Sequence, residues 1–109
     1  LGNPLLKGLR PTHPGELLRE DILPALGLSK AAIAKRLGIS RARLYATLGE
    51  KAPVTPAMAL RLARLIGGNA EIWLSMQRAY DLRTLEAERA DDLAAIQPVA
   101  PEADLEALA

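Results

Sequence analysis

Residues 29–51 contain two short helical patterns separated by a glycine, and this segment constrains the fold more than any other part of the sequence. Ser29 is a typical N-cap residue. Ile33 and Leu37 lie four residues apart, so both side chains fall on one face of a helix. Gly38 can adopt the left-handed conformation that commonly ends a helix. The pattern predicts a short amphipathic helix that stops at this glycine.

A second helical pattern begins directly after that stop. Ser40 can cap it, and Leu44 and Leu48 repeat the four-residue spacing, so both leucines are predicted to face the core. Ala34 lies where the two helices would cross, and its small side chain permits the close approach that a three-residue turn imposes. Together the two patterns predict a helix-turn-helix, a motif that places its second helix in the major groove of DNA.

Charge is distributed unevenly along the chain. Residues 29–51 hold six basic residues and one acidic residue, a formal charge of +5, although the whole chain carries only +1. Residues 1–51 carry +5 and residues 52–109 carry −4. Such asymmetry favours a polyanionic partner for the basic half. A solvated helix face is the alternative, but the charge coincides with the helix-turn-helix spacing and therefore favours DNA.

The remaining sequence predicts an all-α fold of five helices. Aromatic residues make up only 3% of the chain and Phe is absent, and the predominance of Leu, Ala and Ile favours helices over strands. The three other helices are predicted to begin at Pro14 after a His13 cap, at Pro56 after a Thr55 cap, and at about Ala70 after an Asn69 cap. We predict one domain over residues 13–90, an N-terminal arm over 1–12 and an acidic tail over 91–109.

Three stretches together make the sequence resemble a known family. They are HPGELLRE (13–20), SKAAIAKRLGIS (29–40) and TPAMALRLARLIGGNAEIWLSMQRAYDL (55–82). They are similar to the HigA-type antitoxins of bacterial toxin–antitoxin modules, a branch of the phage-repressor-like helix-turn-helix proteins. The resemblance implies a dimeric repressor that binds a palindromic operator in its own promoter. It also implies that the protein neutralises a small RNA-cleaving toxin encoded beside it.

The sequence departs from this family around the second helix of the motif. The family often has a basic residue at the position of Ala46, and its next turn is often Asn-Gly-Lys where this chain has Gly49, Glu50 and Lys51. An operator sequence therefore cannot be transferred from a relative. Thr47 occupies a position that is commonly apolar, which predicts slightly weaker local packing.

Helical geometry identifies the residues of the second helix that would enter a DNA groove. If its leucines point inward, about 100° per residue places Ala42 and Ala46 at the centre of the outward face, flanked by Arg43 and Tyr45. Arg41 lies at the leading end. Arg41 is the first candidate to bind a guanine edge, and Arg43 is the second. The two alanines are predicted to contact thymine methyl groups.

Four further residues are predicted to bind the DNA backbone. Ser29 and Ser40 lie at helix N-termini, where N–H groups favour anions, and Lys30 and Lys51 carry flexible ammonium groups. Such contacts position a protein on DNA without selecting a base sequence.

Protein partners are predicted for the C-terminal half. The helix after Asn69 is the expected seam of a two-fold dimer, because its apolar stripe is too broad for one small core to bury. The stripe consists of Ile72, Trp73, Met76 and Tyr80, extended by Leu82 and Leu85. A basic toxin is expected on the acidic residues Asp81, Glu86, Glu88, Asp91 and Asp92. The arm over residues 1–12 is the second candidate for toxin binding.

Other functional classes have little support. His13 has no Cys or His neighbour, so helix capping is favoured over metal binding, and the chain has no cysteine. A Gly-rich phosphate loop and a nucleophile elbow are both missing from the sequence. We therefore predict no enzymatic activity, no cofactor and no metal. The absence of cysteine fits a cytoplasmic protein, and the lack of a membrane-length apolar run or a signal-peptide pattern predicts a soluble chain.

Three functions remain open at the level of sequence. The first is an antitoxin that also represses its operon, the second a stand-alone helix-turn-helix repressor, and the third a helical protein-interaction module without DNA binding. A neighbouring gene for a small basic protein would separate the first from the second. The retention of Arg41, Arg43 and Lys51 argues against the third.

Overall fold

The structure, a computed structural model, describes residues 11–99, so the predictions for residues 1–10 and 100–109 lie outside the described residues. Every regular element in the described part is helical, which confirms the all-α prediction. The first helix, α1, consists of an α-helical turn Pro14–Leu17, a π-helical turn Leu18–Ile22 and a final α-helical turn Leu23–Ala25. The others are α2 (Lys30–Leu37), α3 (Arg41–Leu48), α4 (Pro56–Ile66), α5 (Ala70–Glu88) and α6 (Ala90–Ala94).

Six helices are therefore present between residues 11 and 99, where the sequence predicted five. The extra helix, α6, is a five-residue segment at the start of the predicted acidic tail. None of the helices in this range is long and apolar enough to cross a membrane.

The helix starts were predicted correctly because each is fixed by a local capping side chain. In all five cases the side chain accepts a hydrogen bond from a backbone N–H two or three residues later. A cap of this kind stabilises a helix by about 1 kcal/mol. The capping residues are His13, Ser29, Ser40, Thr55 and Asn69.

The π-helical turn in α1 was not predicted. Leu23 donates its N–H to the carbonyl of Leu18, five residues earlier, which widens the helix just before Pro24. In a regular α-helix the ring of Pro24 would clash with the carbonyl four residues before it, so the wider turn accommodates the proline. The helical segment then ends at Ala25, and Gly27 follows with a φ of 68°.

The core is built where the helices cross. The predicted inward residues of α2 and α3 are all buried, and so is Ala34 at the predicted crossing point. The buried apolar side chains are Leu18, Leu23, Ile33, Ala34, Leu37, Leu44, Leu48, Val54, Met58, Ala59, Leu62 and Trp73.

Helices α1 and α3 meet closely at Gly15 and Thr47. A Cβ atom added to Gly15 would collide with the carbonyl oxygen of Thr47, so only glycine permits this contact. Thr47 is itself buried, and its hydroxyl donates to the carbonyl of Arg43 at 3.2 Å. The prediction of weaker packing at this residue finds no support, because the hydroxyl is satisfied within its own helix.

Helix α5 is attached to the domain by side chains from one of its faces. Trp73 is buried in the core, and the buried Gln77 accepts the N–H of Val54 at 2.8 Å through its side-chain oxygen. The Tyr80 ring meets the His13 ring edge-on, with 4.8 Å between centroids. The predicted dimer stripe is therefore divided. Trp73, Met76 and Tyr80 are buried or partly buried within the domain, whereas Ile72, Leu82 and Leu85 are exposed.

Candidate DNA-binding surface

The outward face of α3 has the composition that helical geometry predicted. Arg41, Ala42 and Arg43 are exposed, and half of the Tyr45 surface is accessible, at 51%. Ala46 is only partly exposed. The chain after α3 folds back toward it, since the N–H groups of residues 51 and 52 both bond the Ala46 carbonyl, at 2.9 and 3.1 Å. The exposed surface is small at its centre and basic at its edges.

Arg43 does not project freely from this face. Its Nη2 atom donates to Oγ1 of Thr55 at 3.4 Å, and the same hydroxyl accepts the N–H of Met58 at the start of α4. The guanidinium therefore lies toward the N-terminus of α4. Arg41 lies exposed at the N-terminal end of α3.

The predicted phosphate ligands lie at the ends of α2 and α3. The Ser29 and Ser40 hydroxyl oxygens accept N–H groups of their own helices at 3.1 and 3.0 Å, which leaves each hydroxyl hydrogen able to donate. The ammonium of Lys30 lies 5.7 Å from the centre of the Tyr45 ring, a cation–π distance that links α2 to α3. Lys51 is exposed in the turn after α3.

The sequence prediction missed a residue that holds the C-terminal end of α3. Nη1 of Arg19, in α1, donates to the Leu48 carbonyl at 2.6 Å and to the Glu50 carboxylate at 3.3 Å. Nε of Arg19 donates to Glu20 at 3.0 Å. Hydrogen bonds and charge from Glu20, and then Glu50, raise the pKa of Arg19 above its ordinary value. The signal in the sequence was the departure at residue 50, where this chain has Glu50 in place of the glycine of the Asn-Gly-Lys turn. The backbone of Glu50 has a φ of 61°.

A second missed residue supports the turn between α2 and α3. Nη1 of Arg61, in α4, donates to the Leu37 carbonyl at 2.8 Å. This carbonyl belongs to the last residue of α2. The last carbonyls of a helix have no N–H partner within the helix, so Arg61 supplies one. Gly38 follows with a φ of 74°, so the turn is held by both its own backbone and α4.

Comparison with known proteins places this architecture in a family. Virulence-associated protein I of Dichelobacter nodosus is 47% identical over 77 residues, which cover 71% of this chain and 71% of that protein. Antitoxin HigA-1 of Vibrio cholerae is 33% identical over 73 residues, covering 67% of this chain and 69% of that protein. The chain belongs to the HigA-type antitoxin family. No protein-family model matches the sequence.

Solved structures agree with this assignment to the HigA-type family. Antitoxin GraA in complex with its operator superposes with a TM-score of 0.77 at 38% identity, and the match covers 93% of this chain and 99% of GraA. The predicted resemblance and the predicted helix-turn-helix fold are therefore both confirmed.

Proposed function

We propose that this HigA-type chain is an antitoxin that represses its own operon by binding a palindromic operator and that neutralises a cognate RNA-cleaving toxin. The observation that carries the proposal is the exposed basic face of α3 within a capped helix-turn-helix. Membership of a family that includes antitoxin GraA, solved with its operator, supports it. The proposed role requires neither enzymatic activity nor a cofactor.

Within this proposal, base recognition belongs to the leading end and centre of α3. Arg41 is exposed at the leading end and can donate two parallel hydrogen bonds to a guanine edge. Ala42 and Ala46 supply methyl groups that fit thymine. The contact between Arg43 and Thr55 favours Arg41 over Arg43 as the guanine ligand, because Arg43 would have to give up an existing hydrogen bond.

Backbone contacts belong to the ends of the motif. Ser29 and Ser40 carry hydroxyl hydrogens beside helix N-termini, where the helix dipole also favours a phosphate. Lys30 and Lys51 add mobile positive charge. Tyr45, which Lys30 approaches, would border the same groove.

The proposed dimer forms through α5. Ile72, Leu82 and Leu85 are exposed on this helix, with accessible fractions of 57%, 61% and 43%. Leu82 and Leu85 lie three residues apart on one face of α5, and a cluster of exposed apolar side chains favours a protein partner. A two-fold dimer would present two α3 helices to a palindromic site.

The proposed toxin surface is the acidic C-terminal half. Glu86, Glu88, Asp91 and Asp92 are exposed on α5 and α6, whereas Asp81 already accepts a hydrogen bond from Gln77 at 2.9 Å. A basic nuclease would be attracted to these carboxylates without competing for α3.

A separation-of-function experiment tests the proposal. Wild type and Arg41→Ala are measured against the duplex that wild type selects from a random library. We expect a loss of about 1–3 kcal/mol for the variant, and a relaxed preference at one base pair. For wild type, the plot of log K against log salt should have a slope of about −4 to −7, since roughly 4 to 8 phosphates are neutralised per dimer. Lys51→Ala is the matched control and should weaken specific and random DNA alike.

The second arm of this experiment measures toxin neutralisation in cells that express the neighbouring gene. Arg41→Glu should abolish repression yet still restore growth, because the toxin surface lies elsewhere. Loss of both activities in Arg41→Glu would place the toxin on the DNA-binding face. Repression without any neutralisation by wild type would identify a stand-alone repressor, and a flat salt response would exclude phosphate-driven DNA binding.

A further inference from the structure

The C-terminal end of α3 is held by two different kinds of donor. The carbonyls of residues 45–47 accept N–H groups from the turn over residues 49–52, at 2.8 to 3.1 Å. The Leu48 carbonyl instead accepts Nη1 of Arg19, a side chain 29 residues earlier in the sequence. The last carbonyls of a helix have no partner within the helix, so Arg19 supplies what the turn does not. A guanidinium at this position also complements the negative end of the helix dipole.

The same Nη1 atom reaches Glu50, at 3.3 Å. The Arg19 and Glu50 side chains are both about one-third exposed, at 35% and 31%, so water screens their pairing only in part. Gly15, four residues before Arg19, packs against the neighbouring carbonyl of Thr47. Helix α1 therefore contacts two successive carbonyls at the end of α3.

Glu50 is the one acidic residue within residues 29–51. It directly precedes Lys51 and follows α3, so an unpaired carboxylate here would lie beside a residue proposed to contact the DNA backbone. A carboxylate beside phosphate groups is repelled, and the repulsion is weaker when a cation is bound to the carboxylate. The backbone of Glu50 has a φ of 61°, which is uncommon for a residue with a side chain.

We propose that Arg19 is a positioning residue for DNA binding, which fixes the C-terminal end of α3 and keeps the Glu50 charge paired beside the DNA backbone. Glu50 in turn limits affinity for DNA of any sequence. The inference rests on the proposed function, because it assumes that α3 faces DNA. It assigns the pair a role in affinity and not in base selection, since neither side chain lies on the outward face of α3.

The test is a double-mutant cycle with wild type, Arg19→Met, Glu50→Gln and the double variant. The probe is the duplex that wild type selects from a random library, and binding is measured by fluorescence anisotropy at low and high salt. Arg19→Met should weaken binding about tenfold at low salt, because it frees the Glu50 charge. Glu50→Gln should bind about two- to threefold more tightly than wild type. In the Glu50→Gln background, Arg19→Met should weaken binding by only about threefold or less.

Salt separates the role of charge from a purely structural role. The Arg19→Met deficit should shrink as salt rises, because the Debye length falls from about 30 Å at 0.01 M to about 8 Å at 0.15 M. Arg83→Met is the matched control, since Arg83 is an exposed arginine of α5 that lies off the helix face carrying Leu82 and Leu85. It removes one positive charge and should change affinity less than Arg19→Met. Thermal unfolding of each variant establishes that the proteins remain folded at the assay temperature.

Equal loss from Arg19→Met in both backgrounds, independent of salt, would overturn the inference and leave Arg19 a structural residue. Weaker binding by Glu50→Gln would overturn it too. A wild-type protein that selects no duplex would overturn the proposed function and this inference with it. Wild-type binding with an additive cycle would overturn the inference alone.

Discussion

The helix-turn-helix and α5 differ in how much of their apolar surface is buried within one chain. Helices α2 and α3 have eight residues each, and each buries three side chains. Helix α5 has 19 residues but buries only two, Trp73 and Gln77. Leucines in its second half remain exposed. The comparison indicates that α2 and α3 bury their apolar faces within one protomer, whereas α5 keeps exposed apolar side chains that a partner could cover.

The largest effect is expected in the helix-turn-helix region, where α1 packs against α3. Gly15→Ala places a Cβ against the Thr47 carbonyl, so α1 and α3 must separate. Alanine would normally favour a helix over glycine by about 0.5–1 kcal/mol. Here we expect a net destabilisation of about 3 kcal/mol or more, because the clash is with backbone and cannot be relieved by a rotamer change. Urea unfolding monitored by circular dichroism measures it.

Gly27→Ala is the matched control for this substitution. Gly27 has a φ of 68° and open space around its Cα atom, so alanine there pays only for the left-handed backbone, about 1–2 kcal/mol. Equal stability losses for the two variants would show that the contact between α1 and α3 is not tight.

Sequence was sufficient wherever local chemistry decides the structure. The caps at Ser29, Ser40 and Thr55 act on backbone N–H groups three residues away, so their positions in the sequence fix three helix starts. The inward leucines of α3 follow from helical spacing alone. The outward face could be assigned for the same reason. Its residues are exposed except Ala46, which is partly buried.

The missed features depend on contacts between residues distant in sequence. Arg19 bonds a carbonyl 29 residues later, and Gln77 bonds an N–H group 23 residues earlier, at Val54. Neither partner is detectable from periodicity, because a polar residue in a helix is by default expected in solvent. Met76 and Tyr80 were assigned to a dimer seam for a similar reason, since periodicity gives the width of an apolar stripe but not the area its own domain covers.

A second test concerns the exposed leucines of α5. The double substitution Leu82→Glu and Leu85→Glu introduces two charges where the dimer is proposed to bury leucines. We expect dimerisation to weaken by about 2–4 kcal/mol, the range for central interface residues, with little change in the unfolding of the monomer. Analytical ultracentrifugation across micromolar concentrations measures the association.

The matched control in the same helix is Arg83→Glu, which changes the charge of an exposed residue that lies about 100° and 160° around the helix from Leu82 and Leu85. It should leave the association nearly unchanged. A wild-type protein that is monomeric at these concentrations, or a double variant that still dimerises, would contradict the α5 seam and would leave its exposed leucines without a partner.

The smallest expected effect lies at His13, which joins α1, the helix packed against α3, to α5. Its Nδ1 accepts the N–H of Gly15 at 2.9 Å, and its ring packs against Tyr80 of α5. Burial lowers the pKa of His13 below its ordinary value of 6.5, and Glu50 and Asp81 oppose this only in part. A protonated ring could no longer accept the Gly15 N–H at Nδ1.

We therefore expect stability to depend on the protonation of His13. The unfolded chain binds a proton at higher pH than the folded one does, so the stabilisation by neutral His13 is complete above pH 6.5 and is lost as the pH falls below that value. Thermal unfolding in small steps between about pH 7.5 and 5.5 should show a falling midpoint. His13→Asn can still cap α1. The variant should be less stable at neutral pH because it loses the ring contact with Tyr80, and it should lack the pH slope because asparagine does not titrate. If the variant kept the slope, other groups would be responsible, and the junction between α1 and α5 would be insensitive to pH.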